Sequence, residues 1–288
     1  MGKDLKNKIR NEEPAYRRQV PHFMYSFSQL TSKYLRYYLS ASNSKGHGMH
    51  SPFVFDFITK ILNDKTAYPA YDQVEQLRHT LLNDTRSITV KDFGAGSAVD
   101  KSNQRTIASI AKNAAKPKKY GQLLYRMVQK YKPATLVELG TSLGITSSYL
   151  GLADRNKKLI TMEGSPAIAE IARQNFNQLQ LNNVELIEGD FRDTLPGIVA
   201  GLPSVDFVFI DGNHRRLPTE QYFDLLVKKI NNDSILVFDD IHWSKEMEEA
   251  WETIKSNKAV RCSIDLFFIG IVFFREEFKE KRDFAIRF

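Results

Sequence analysis

From residue 121 onward, short apolar runs alternate with longer stretches whose apolar positions recur every three to four residues. Short unbroken apolar runs suit strands buried on both faces, and the periodic stretches suit helices laid over them. The pattern predicts a helix over Gly121–Tyr131, a strand over 135–139, a helix over Ile145–Ala153 and a strand over Lys158–Met162. It continues with a helix over 166–180, opened by Ser165-Pro166 as N-cap and first-turn proline. A strand Val184–Ile187 precedes a short helical stretch, and then come strand Asp206–Ile210, helix Thr219–Lys229, strand Ser234–Phe238 and helix Ser244–Ser256. Two final strands, near 260–266 and 269–274, lie too close for a crossover and must pair antiparallel. Alternating strands and helices imply a Rossmann-like α/β fold: a doubly wound, mostly parallel sheet with an antiparallel terminal strand.

The first part of the chain reads differently. Residues 1–20 are polar, and 22–62 are rich in aromatics and helical in pattern. Ser51-Pro52 opens a helix carrying Phe53, Phe55, Phe57, Ile58, Ile61 and Leu62, and Tyr71–Leu82 is a further helix candidate. Residues 1–120 are expected to form a mainly helical extension over a domain at 121–288. The aromatics Phe23, Tyr25, Phe27, Tyr34, Tyr37 and Tyr38, with the segment His47–Phe53, read as packing. A roof over a substrate pocket is the alternative. Ile88–Ser97 contains Gly94-x-Gly96 after a short strand, which imitates a nucleotide loop. No apolar helix follows it, so it reads as a structural turn.

Five of the later strands end in polar stations: Val-Glu-Leu-Gly at 137–140, Thr-Met-Glu at 161–163, Glu-Gly-Asp at 188–190, Ile-Asp-Gly-Asn-His at 210–214 and Phe-Asp-Asp at 238–240. Open α/β sheets bind ligands at the carboxyl ends of their strands, so these stations predict one site. The turn Gly140-Thr-Ser-Leu-Gly144 lets backbone approach a ligand in front of a helix N-terminus. A dinucleotide fingerprint needs glycine at the place held by Ser142, which argues against a dinucleotide. Glu163 is placed to accept hydrogen bonds from ribose hydroxyls. Gly189 and Asp190 are placed to hold an adenine amino group, or to make an ordinary turn.

In order and register these stations resemble class I S-adenosylmethionine-dependent methyltransferases, and more closely the catechol and caffeoyl-CoA O-methyltransferase group. The likeness covers about 121–275 and includes Gly121-Gln-Leu-Leu ahead of the first of these strands. It implies S-adenosylmethionine as cofactor, surrounded by Glu138, Gly140, Ser142, Gly144, Glu163, Gly189 and Asp190. It also implies a divalent cation such as Mg²⁺ at Asp211, Asp239 and Asp240, although the family has asparagine at the third place. Carboxylate oxygens suit such an ion, which would act as a Lewis acid on a substrate hydroxyl. His214, three residues after Asp211, stands where the group keeps a catalytic lysine base. Imidazole can take a proton near neutrality. His242 reads as a bystander, with a metal ligand or second base as alternatives.

Composition narrows the partners. The net charge of +7 is partly concentrated in the first eighteen residues and in Lys112–Lys119. Both runs read as solvated, as do Arg215, Arg216 and Lys245, with anion binding as the alternative. A single cysteine, Cys262, excludes an intrachain disulfide and a cysteine metal cluster. No secretory leader pattern or membrane-length apolar run is seen, so a cytoplasmic setting is expected. The expected acceptor is the hydroxyl of a small molecule, and a homodimer is a further expectation. RNA or protein methylation, and a non-catalytic cofactor-binding role, are the rival readings.

Overall fold

A computed structural model describes residues 24–42, 44–90, 104–114 and 116–288. The Gly94-x-Gly96 turn and Phe23 lie outside them. The extension contributes helices α1 (Phe27–Ser40), α2 (Pro52–Phe57), α3 (Pro69–Leu82) and α4 (Ile107–Ala114), with a small antiparallel pair β1 (Ser87–Thr89) and β2 (Gln104–Thr106). Then follow α5 (Lys118–Tyr131), β3 (Leu136–Leu139), α6 (Ile145–Ala153), β4 (Leu159–Glu163), α7 (Pro166–Gln178), β5 (Val184–Glu188) and α8 (Phe191–Gly201). The chain closes with β6 (Phe207–Ile210), α9 (Arg216–Leu226), β7 (Ile235–Asp239), α10 (Lys245–Ser256), β8 (Cys262–Asp265), β9 (Ile269–Phe273) and β10 (Arg282–Ala285).

The large sheet has the order β10-β8-β9-β7-β6-β3-β4-β5. β3 to β7 pair in parallel, and β9 runs antiparallel between β7 and β8. The predicted α/β class and the antiparallel pairing of the last two predicted strands both hold. A strand that the pattern did not predict, β10, adds parallel to β8 at the edge. It is short and half exposed, so no apolar run announces it. The helix read as starting at Ser51-Pro52 does so, but its second half, Ile58–Leu62, widens into a π-helical turn. The buried Arg126 guanidinium meets that turn by donating to the Ile61 carbonyl at 2.6 Å.

Chain order explains where a crevice opens. From β3 the chain winds outward through β4 and β5, then returns to the other side of β3 for β6 and β7. The crossovers diverge between β3 and β6, which leaves the carboxyl ends of those strands uncovered. The register aligns the stations. Leu139 pairs with Met162 and with Ile210, and Ile210 pairs with Phe238. The next residues, Glu163, Gly140, Asp211 and Asp239, therefore stand level in one row across the sheet.

Apolar side chains of the extension join the core beneath one sheet face. Val54, Phe57, Val74, Leu77 and Ile107 pack in the same cluster as Leu123, Tyr149, Phe207 and Ile271. The other face carries a separate cluster around Val208, Phe238 and Trp251. No described helix is long and apolar enough to cross a membrane.

Asp206 ties the opposite, amino-terminal end of the sheet. Its carboxylate accepts from the Ala134 and Thr135 amides at 2.9 and 3.0 Å, from Ser204 at 2.8 Å and from Asn231 at 2.6 Å. Burial alone would raise its pKa, but these donors outweigh it and hold the carboxyl below its ordinary value. A depressed carboxyl contributes stability above its unfolded pKa and loses it as pH falls through the folded value. Asp206→Ala is expected to cost about 1–3 kcal/mol in urea unfolding at neutral pH. The gap to the wild type should close below the ordinary carboxylate range; a gap independent of pH would contradict this account.

Candidate active site

The stations meet in one cavity of about 290 Å³ at the switch between β3 and β6. Of the residues expected there, Gly140, Ser142, Glu163, Gly189, Asp190, Asp211, His214 and Asp240 line it. Glu138, Gly144 and Asp239 lie just behind the lining. Lys116, Ile168, Phe191, Asn213 and Tyr222 line it too, and the motifs did not single them out.

The glycines of the turn serve packing as much as ligand approach. Gly140 has φ +103°, and a Cβ there would fall 1.9 Å from the Asp211 carbonyl oxygen. A Cβ on Gly144, at φ +80°, would meet the Phe176 ring at 2.6 Å. Between them Ser142 takes φ +48° and points its amide at Glu163 Oε2, 2.9 Å away. Glu163 Oε1 accepts from the Ser165 amide at 2.9 Å. The acid that ends β4 thus braces both loops around the cavity. Carboxylate oxygens carry further lone pairs, so Glu163 keeps acceptor capacity for a ligand.

Left-handed backbone gathers here. Seven described non-glycine residues have positive φ, and four of them, Ser142, Asn213, His214 and Asp240, line this cavity. Such conformations are strained for these residues and persist where surrounding structure fixes them, which happens most often at functional sites. Asn213 is held by donating to the Tyr222 hydroxyl at 3.1 Å, and Asp240 by its amide donating to the Phe268 carbonyl at 2.7 Å.

Charge in and around the cavity is dense. Glu138 is fully buried, accepts from Ser147 and Thr161, and leaves Oε1 without a hydrogen-bond partner. Burial pushes its pKa up to about 8 despite the two hydroxyls. His214 Nε2 lies 3.5 Å from Asp211 Oδ1. Burial would lower the histidine pKa, but Asp211 and Asp240 outweigh it and raise it. Burial would likewise raise the Asp211 pKa, and Lys116 and His214 bring it down. Asp239, fully buried between Asp211 and Asp240, has its pKa raised by burial and by both neighbours. Asp190 is committed to Arg192, which holds its carboxyl below the ordinary range.

One atom each of Asp211, His214 and Asp239 comes within 4.8 Å of the others, a donor set that a hard cation could use. The place is contested. The Lys116 ammonium forms an ion pair with Asp239 Oδ2 and donates to Asp240 Oδ1 at 2.9 Å. Lys116 belongs to the run read as solvated, yet its side chain is only 16% exposed. A divalent ion seated among all three carboxylates would have to displace that ammonium. The residues as arranged therefore do not fit an ion at Asp211, Asp239 and Asp240 together.

His242 stands apart. Its ring bridges Glu248 at 3.0 Å and Asp265 at 2.8 Å and stacks on Phe267. Glu248 also accepts from Tyr25 and Lys33, so this cluster fastens the α1 region to the sheet. Arg216 and Lys245 pair with Glu220 and Glu249 at the surface.

Residues 137–241 match the model of a family described as a methyltransferase domain. A catechol O-methyltransferase of Niastella koreensis is 28% identical over 124 residues, covering 42% of this chain and 55% of that protein. A tRNA (guanine-N(7)-)-methyltransferase of Mycoplasma mobile is 28% identical over 113 residues, covering 37% and 56%. The chain spans about half the length of these curated relatives. Among solved structures, an SAH-bound methyltransferase of Podospora anserina matches with TM-score 0.54 and 12% identity over 88% of this chain and 98% of that one. An O-methyltransferase of Bacillus cereus in complex with SAH gives 0.50 and 20% over 77% and 97%. These structures share the fold, and the likeness to methyltransferases read from the stations holds.

Gly140→Ala tests the packing account of the turn. The new methyl cannot coexist with the Asp211 carbonyl, and the backbone is left-handed besides. The substitution is expected to cost about 1–3 kcal/mol or more in denaturant unfolding. Stability within error of the wild type would refute it.

Proposed function

We propose that this chain is an S-adenosylmethionine-dependent methyltransferase acting on a hydroxyl oxygen of a small molecule. The observation that carries this reading is the level row of strand-end residues opening into one cavity, in a segment that matches a methyltransferase domain. When bound, the cofactor supplies a methyl group on a sulfonium. Glu163 accepts from the ribose hydroxyls while the Ser142 and Ser165 amides fix its orientation. The Gly140–Gly144 turn borders the amino-acid portion, and Gly189 with the backbone at Asp190 borders the adenine. Phe191, packed edge-on to Tyr222, gives that end an aromatic wall. Glu138 Oε1, buried without a partner, suits a ligand amino group reaching past the turn.

His214 takes the proton of the acceptor hydroxyl, and Asp211 orients the ring and stabilises the imidazolium that forms. The local pairing of Arg216 and Lys245 with acids leaves no continuous basic face around them, which favours a small acceptor over nucleic acid. Residues ahead of α5 cover the site and belong to the same reading as a substrate cap. A cytoplasmic homodimer completes it: Phe27, Leu35 and Leu39 on α1 are 87%, 55% and 78% exposed and offer an apolar contact. Sedimentation of a concentration-independent monomer would remove the dimer from the proposal.

Calorimetric titration with S-adenosylmethionine tests the core of the reading. The wild type is expected to bind, and Glu163→Ala to bind roughly 10–100-fold more weakly, as for a lost charged hydrogen bond. Folded wild-type protein that does not bind would sink the assignment. With a turned-over acceptor, His214→Ala is expected to keep cofactor binding and to lose roughly 10²–10⁴-fold in kcat. Unchanged kcat would remove the histidine from the chemistry.

A further inference from the structure

We propose that the Lys116 ammonium is the resident cation of this site: it holds the position against Asp239 and Asp240 that a divalent ion would need, and presents its remaining N–H to the acceptor oxygen. The inference rests on the methyltransferase reading for the identity of the acceptor. The occupancy of the carboxylates stands independently.

The geometry points to this in three steps. First, the lysine comes from the short link between α4 and α5, far from the strand-end stations in sequence. Of the lysines around that link, Lys119 stays near the surface, donating to the Phe288 carbonyl at 3.1 Å, whereas Lys116 turns into the cavity. Second, the ammonium touches two carboxylates from one strand end, one of them wholly buried. Mg²⁺ binds at about 2.0–2.1 Å from its oxygens and is held by such carboxylates, so ion and ammonium compete for one face. Third, an ammonium has three N–H donors. Two are used on Asp239 and Asp240, and among the described residues the third has no partner. Lys116 lines the same cavity as Gly140, Glu163, Asp211 and His214. An acceptor hydroxyl seated there can receive the third N–H while its own proton faces His214.

The lysine keeps its proton throughout. The hydroxyl proton passes to His214, the oxygen lone pair forms the bond to the methyl carbon, and the pair of the broken carbon–sulfur bond stays on sulfur as a neutral thioether. Lys116 stabilises the negative charge that gathers on oxygen as the proton leaves, the role a preorganised cation plays in a water-poor site.

Two measurements on the full chain loaded with S-adenosylmethionine decide the matter. Mn²⁺ is titrated into wild type, Lys116→Arg, Lys116→Met and Lys116→Gln, read by calorimetry and by the magnetic resonance signal of free ion. Removing the positive charge should open the carboxylates, so Lys116→Met and Lys116→Gln are expected to bind Mn²⁺ at least about tenfold more tightly than wild type and Lys116→Arg. Equal affinity across the set overturns the claim, and tight binding by the wild type does so alone if the uncharged variants fail to fold. The second probe is 4-nitrophenol, whose visible band reports its ionised form. It is expected to bind the wild type and Lys116→Arg as the phenolate and to lose that band in the uncharged variants. No bound phenolate in the wild type, or an undiminished band without the charge, overturns the acceptor role. Failure to bind S-adenosylmethionine would strike the methyltransferase reading and leave the Mn²⁺ titration, repeated without cofactor, to judge Lys116.

Discussion

Glu138, Asp211 and Asp239 stand at the carboxyl ends of three neighbouring strands, largely removed from water, and each must find a proton or a countercharge. Desolvating a carboxylate is too expensive for a fold of ordinary stability unless one or the other is supplied. The protein solves the problem three ways. Glu138 takes hydroxyl donors and, with its pKa pushed up to about 8, a proton at neutral pH. Asp211 takes His214 from its own loop. Asp239 takes Lys116, which arrives from outside the strand-end motifs altogether. The chain between α4 and α5 cannot then be a passive connection, because the charge balance of the sheet end depends on it.

Much of this was legible in the sequence, and the limits have a physical pattern. The strands of the parallel sheet are buried on both faces, so they show as unbroken apolar runs, and the stations follow because each run stops at the same level. The Gly140 turn and Glu163 could be read for the same reason. β10 could not: an edge strand with exposed residues shows little periodicity. Lys116 lay inside a lysine run, where the default reading is a solvated face. Its partners Asp239 and Asp240 lie more than 120 residues away, and only the three-dimensional path brings them together. A composition-level clue existed in the third carboxylate, Asp240, since an extra buried acid asks for an extra cation.

The glycine turn also changes meaning once seen in place. Its spacing suggested room for a ligand. In the structure Gly140 is where the backbones of β3 and the loop after β6 nearly touch. The same contact that admits a ligand in front of the turn fixes Asp211 behind it, so cofactor grip and acid placement are one geometric decision.

Helix α1 contributes no buried residue, and it is held through Tyr25, Lys33 and Glu248, a hydroxyl bond from Tyr37 to the Ile286 carbonyl, and ring contacts of Tyr34 and Tyr37 with Phe267 and Phe268. Detaching such an element exposes little apolar surface, so its opening free energy lies near the bottom of the range for this fold. The turn that it leans on is the one whose Phe268 carbonyl holds the Asp240 amide. The weakest joint of the molecule is therefore wired to its most charged one. A protease or an exchanging deuteron arriving at α1 would find, one turn further in, the lysine–aspartate pair on which the sheet end relies.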